Sequence, residues 1–154
     1  MNLLIFLKFL HVTAAVVFLG DIIVTATWKW FADRTGDPSV AAYAQRLVLL
    51  TDKYLMLPSI GVLVTTGYIK AHMLQISAWT TPAILTGQIL FFLSGIIWGV
   101  ILRPIQMRQM EMANGFRVGD VIPADYMVLT KRWMLWGGLA IVLPIGSVFM
   151  MIYN

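Results

Sequence analysis

The chain has no cysteine, which excludes disulfides, thiol catalysis and thiolate metal sites. It has only two histidines, His11 and His72, too few for a multi-ligand protein zinc site. Charge is scarce too, at 12% of residues where soluble domains carry about 25%. No phosphate-cradling glycine loop, nucleophile elbow, HExxH helix or paired-carboxylate motif is present. The usual sequence signatures of soluble enzymes are therefore absent.

In their place is apolar surface. Hydrophobic residues make up 60% of the 154 positions, and they gather into four runs. A run of about 20 apolar residues crosses a hydrocarbon core of about 30 Å. The expectation is an all-α chain, a single membrane domain over residues 1–154 folded as a four-transmembrane-helix bundle. The predicted helices lie at about 3–28, 46–73, 82–102 and 132–153, with polar connections at about 29–45 and 103–131. The first run carries Lys8 inside it and outlasts a signal-peptide core of about 7–15 residues, so it reads as an uncleaved helix.

Local signals refine the picture. Trp28-Lys29-Trp30 is an interfacial anchor, and Pro38 opens a short helix leading into the second span. Pro58 predicts a kink there that strips the Tyr54 carbonyl of its partner, and Pro144 predicts another in the fourth helix. Gly95 and Gly99 form a GxxxG pair for helix packing, within the bundle or between protomers of a homo-oligomer. Arg103 to Glu111 continues as a helical extension ending near Asn114-Gly115, and Pro123-Ala124-Asp125 opens the fourth helix.

The net charge of +4 would point to nucleic acid in a soluble chain. Here the basic residues cluster at span ends, where they set orientation and meet lipid headgroups, so nucleic acid is not expected as a partner. Lys29, Arg34, Arg46, Arg103, Arg108, Arg117, Lys131 and Arg132 belong to the long connections and their helix ends, against Lys8 and Lys70 on the other side. The positive-inside rule places the connections in the cytoplasm and both termini on the outer, periplasmic side.

The candidate site is organised around His11, because an ionisable group inside a span is costly without a role or a partner. At 1.5 Å per residue it lies about 12 Å inward from Leu3. Equal depth on the other helices reaches Gln88 and Gly87, Gly146 and Ser147, and Thr65 to Tyr68. Such a layer either lets helices touch or leaves room for a flat ligand. Lys8, one turn outward of His11, either snorkels to headgroups or neutralises an anionic group of a bound cofactor. His72 sits about 6–10 Å shallower than His11 by the same rise, as an interfacial residue or a second metal ligand. Nearer the cytoplasm, Asp21 and Lys53 are expected to form a buried ion pair, or a proton path.

Four stretches carry a resemblance. They are Lys8-Phe9-Leu10-His11-Val12 with Gly20, Asp52 and Pro58 with Gly67, Arg103-Pro104-Ile105-Gln106, and Lys131-Arg132-Trp133 with Gly137 and Met150-Met151. In these the chain resembles a bacterial family of predicted integral membrane proteins, domain of unknown function 2269, which implies the bacterial inner membrane. More distantly, a histidine in the first of four helices is similar to the membrane-bound protoporphyrinogen oxidases and the copper-resistance D-type proteins. That likeness implies haem b held by His11. The third helix lacks the lysine and histidine those oxidases carry, so the likeness supplies neither a second axial ligand nor that activity.

Three functions follow as expectations. One is a haem-b redox protein using His11, Lys8, Gln88 and Gly146, with a quinone or other redox partner; bundles place cofactors between facing helices. Another is a small carrier using the Asp21/Lys53 layer. The last is an accessory membrane subunit with no cofactor.

Overall fold

The computed structural model describes residues 2–117 and 119–153, apart from the side chain at 153. Among the described residues there are four long helices and no strand: α1 (Leu3–Arg34), α2 (Pro38–Met73), α3 (Pro82–Ala113) and α4 (Ala124–Tyr153). All four are long and apolar enough to cross a membrane. Their ordering brings both termini to one end of the bundle, here called the termini end; residues 35–37, and 114–117 with 119–123, lie at the far end.

The helices are longer than a bilayer core requires. The 32 residues of α1 rise about 48 Å, against a hydrocarbon thickness of about 30 Å. Much of the sequence that reads as polar connection is therefore helix. The segment opened by Pro38 fuses with the second span, and the extension after Arg103 runs on to Ala113. Capping explains the sharp turn between α1 and α2. Gly36 adopts φ +72°, and the Asp37 carboxylate accepts from the Ser39 N–H at 2.8 Å and the Ser39 hydroxyl at 2.7 Å.

Two prolines are absorbed by π turns. Asp52–Met56 and Trp98–Leu102 are π-helical, and each ends two residues before a proline, Pro58 and Pro104. The N–H of Leu57 bonds the Asp52 carbonyl and that of Arg103 the Trp98 carbonyl, one residue further back than in an α-helix. The extra residue per turn relieves the clash a proline ring makes with the preceding turn. Pro144 lies inside α4 with no such turn. The structural counterpart of Pro58 is thus Pro104 in α3, not Pro144.

Packing is uneven along the axis. At the far end all four helices meet, and Ala41, Val48, Ala113 and Tyr126 are buried there. Towards the termini the backbones part into two hairpins. Outside its own helix the backbone of Leu57–Met73 comes close only to α1, and that of Pro82–Ile97 only to α4. Side chains bridge the hairpins: the rings of Phe18 and Phe91 stand 5.5 Å apart, and the Tyr68 hydroxyl donates to Gln88 Oε1 at 2.8 Å. Large apolar side chains such as Phe9, Val16, Ile96 and Leu135 are exposed outward, as suits helices solvated by lipid.

Candidate functional site

The His11 layer exists as contacts. His11 Nδ1 lies 2.9 Å from Thr66 Oγ1, and the Thr66 hydroxyl donates its only proton to the Val62 carbonyl at 2.6 Å. Thr66 must therefore accept from Nδ1–H, which leaves the lone pair on Nε2. Gly67 makes room for the ring, since a Cβ there would stand 3.3 Å from His11 Cε1.

The neighbours at that depth are committed to packing. Gln88 takes the Tyr68 proton and donates to the Ala78 carbonyl at 2.9 Å. A Cβ on Gly146 would meet Leu90 at 3.3 Å, and one on Gly87 would meet Met151 at 3.2 Å and the Ser147 carbonyl at 3.3 Å. The glycines let α3 and α4 touch, and they leave no slot for a flat macrocycle between those helices. His72 is exposed, six residues beyond Thr66 and so about 9 Å further along α2. Nothing brings it level with His11. Lys8 is exposed and acts through space on half-buried Lys70, which in turn acts on His11.

The expected Asp21–Lys53 ion pair does not form. Lys53 is exposed, its ammonium 5.1 Å from the centre of the Tyr54 ring. The reason is helical: neighbouring residues diverge by about 100°, so with Asp52 turned into the bundle Lys53 faces out. Asp21 lies beside Thr51 instead, near enough to Asp52 for its charge to act through space. Asp21 Oδ2 is buried with no hydrogen-bond partner among the described residues.

Asp52 lines a cavity of about 130 Å³ bordered by all four helices. Its walls include Phe18, Phe91, Trp98 and Trp133, and Gln106 lies beside the carboxylate. Gln106 Nε2 donates to Asp52 Oδ2 at 2.9 Å and Trp98 Nε1 to the same oxygen at 3.3 Å. Gln45 Nε2 holds the Gln106 carbonyl at 2.9 Å. The buried Oε1 atoms of Gln45 and Gln106 have no donor among the described residues. No Lys or Arg pairs with either carboxylate there. Arg103, 6.0 Å from the Trp98 ring centre, reaches Asp52 only through space. The π turn places this group, because Asp52 and Trp98 are the first residues of the two turns.

A second polar network lies nearer the far end. Lys29, read from sequence as an interfacial anchor, is fully buried and paired with Asp33. Its ammonium also donates to the Tyr126 hydroxyl at 2.8 Å. Tyr126 and Thr130 donate to the Asp33 carboxylate at 3.3 and 2.7 Å, and Gln109 Nε2 donates to Thr130 at 2.8 Å. The network ties α1, α3 and α4 together. The i,i+4 spacing of Lys29 and Asp33 was the one available signal, and it says nothing of Tyr126.

The apolar exterior and these four spans define an integral membrane protein. The family described as "Predicted integral membrane protein (DUF2269)" matches residues 5–154, and the chain belongs to it. No curated protein and no solved structure matches the chain.

Proposed function

We propose that the protein is a small membrane carrier that loads and releases a proton at Asp52, with Asp21 as its partner. The observation that carries this reading is the buried Asp52 carboxylate lining an interhelical cavity, with buried Asp21 close enough to act on it through space and no Lys or Arg paired to either among the described residues. Two buried like charges near one another cannot both stay ionised without cost, so one of them readily takes up a proton. Ionisable groups buried in membrane helices, and π turns, both recur at functional positions. In this reading the chain sits in the bacterial inner membrane with the far end in the cytoplasm, so Asp52 lies near the inner boundary of the hydrocarbon. Infrared spectra recorded across a pH series test it. A carboxylic-acid band that titrates and is lost in Asp52→Asn supports the reading. Wild-type and Asp52→Asn spectra that coincide at every pH overturn it.

A second reading keeps haem b and a redox role, on the free Nε2 of His11, with Lys8 and Lys70 available to acidic side groups and a quinone or other redox partner. A nitrogen lone pair backed by an Nδ1–H hydrogen bond is the arrangement a metal ligand needs. Because Gly87, Gln88 and Gly146 are filled, the macrocycle would have to lie on the lipid side of α1 and α2. Protein from haem-replete cells should then show a Soret band lost in His11→Ala; a colourless preparation that stays so on haem addition removes this reading. The same filled layer suits a cofactor-free accessory subunit. Gly95 and Gly99, with open space where a Cβ would stand, suit self-association.

A further inference from the structure

We infer that the cavity beside Asp52 binds a small organic ammonium ion, an amine with an apolar body no larger than a benzene ring. This deepens the carrier reading by naming the class of molecule exchanged against the proton.

The donor–acceptor balance of the walls comes first. The Thr25 and Ser94 hydroxyls line the cavity, but their protons are committed to the carbonyls of Asp21 at 2.6 Å and Ala140 at 2.7 Å. Both therefore face the space as acceptors only. The Gln106 Oε1 also has no donor among the described residues, but it is sealed within the wall. Both hydrogen bonds to Asp52 fall on Oδ2, so Oδ1 takes none among the described residues. Against these acceptors the lining side chains leave two donors unengaged, the second Nε2–H of Gln106 and the indole N–H of Trp133, and the latter is shut off from the space. The space is short of donors, and an ammonium group has donors and nothing else.

The rest of the lining selects the body of the ligand. Phe18, Phe91, Trp98 and Trp133 present aromatic rings, which attract a desolvated cation through their faces and pack against an apolar group. A bare divalent ion would need about six oxygen ligands, which this wall does not supply. A cluster of about four waters would match the volume, but each needs two to four polar partners. Size sets the upper limit: the cavity, at about 130 Å³, is slightly smaller than the apolar cavity of about 150 Å³ that accepts benzene, so a single ring is the largest apolar body it suits. Entry is available from the lipid side. Phe92 is 46% exposed and Gly95 is exposed, yet both line the cavity, and open space stands where Gly95 and Gly137 would carry a Cβ.

The test is titration calorimetry on the full chain in nanodiscs, with benzylammonium, benzyl alcohol and benzoate as probes of nearly equal size. Benzylammonium should bind at least tenfold tighter than benzyl alcohol, and benzoate not at all. Asp52→Asn should erase the preference for the cation while leaving benzyl alcohol unchanged, and Lys53→Met should leave all three unchanged. Gly137→Leu, which fills the space without touching charge, should block both ligands, and it serves should Asp52→Asn fail to fold. Equal binding of the cation and the alcohol, or benzylammonium binding that survives both Asp52→Asn and Gly137→Leu, overturns the inference. So does no binding of the cation to wild type. If that happens while the Asp52 infrared band still titrates, the proton reading stands and only this ligand class is lost.

Discussion

The indole of Trp98 donates to Oδ2 of Asp52 across 3.3 Å, and each residue is the first of a π turn that runs up to a proline six positions on. Two helix defects thus meet through one hydrogen bond, and the acidic side chain at the cavity is held between them. Gln106, one turn beyond the second defect, completes the hold on the same oxygen at 2.9 Å. Removing the indole N–H in Trp98→Phe keeps the ring and loses the longer bond; Gln106→Leu loses the shorter one. Hydrogen bonds to charged groups contribute about 1.5–3 kcal/mol. Thermal unfolding in detergent should rank the variants wild type, Trp98→Phe, Gln106→Leu in falling stability. The reverse order of the two variants would contradict this account of Asp52.

The buried pair behaves differently from the exposed lysine. Taking one partner from a buried ion pair costs about 3–5 kcal/mol, because the other charge is left behind. Lys29→Met and Asp33→Asn should each approach that loss, and the double variant should lose less than their sum. Lys53→Met, on an exposed side chain, should stay within about 0.5 kcal/mol of wild type. A large effect at Lys53 would revive the pairing with Asp21.

Glycines separate by what stands over them. A methyl on Gly87 meets the Ser147 carbonyl at 3.3 Å, where backbone cannot easily yield, so Gly87→Ala should loosen α3 from α4 and lower the unfolding temperature. Gly138 has open space at the same distance, so Gly138→Ala should gain up to about 1 kcal/mol from helix propensity alone. Opposite signs in one melting series are the expected result.

The turn between α1 and α2 has its own pH dependence. Bonds from the Ser39 hydroxyl and N–H hold the Asp37 carboxyl below the usual carboxylate range. Its folded value lies below its unfolded one, so its contribution is complete above the ordinary carboxylate range and is lost as pH falls through the lowered value. Protection of the Ser39 amide, taken relative to its intrinsic exchange rate at each pH, should fall on acidification, and in Asp37→Ala it should be low at every pH. Wild-type protection of that amide that does not change with pH would rule the cap out.

Composition and periodicity alone determined the membrane class, the four spans and the level of His11, because hydrocarbon imposes length and apolarity on every spanning helix. They also put Gln88 and the stretch from Thr65 to Tyr68 at the depth of His11, because depth counts along straight helices, but left open which of them pair. They could not say which way a side chain turns. Asp21 was paired with Lys53 on depth, and one residue of rotation makes Asp52 its neighbour instead. Lys29 looked like an interfacial anchor, since nothing local shows that Tyr126 and Thr130, about a hundred positions away, close over it. The π turns, the cavity they shape and the splitting of the termini end into two hairpins depend on contacts between distant segments. Those contacts exist only once the four helices have packed.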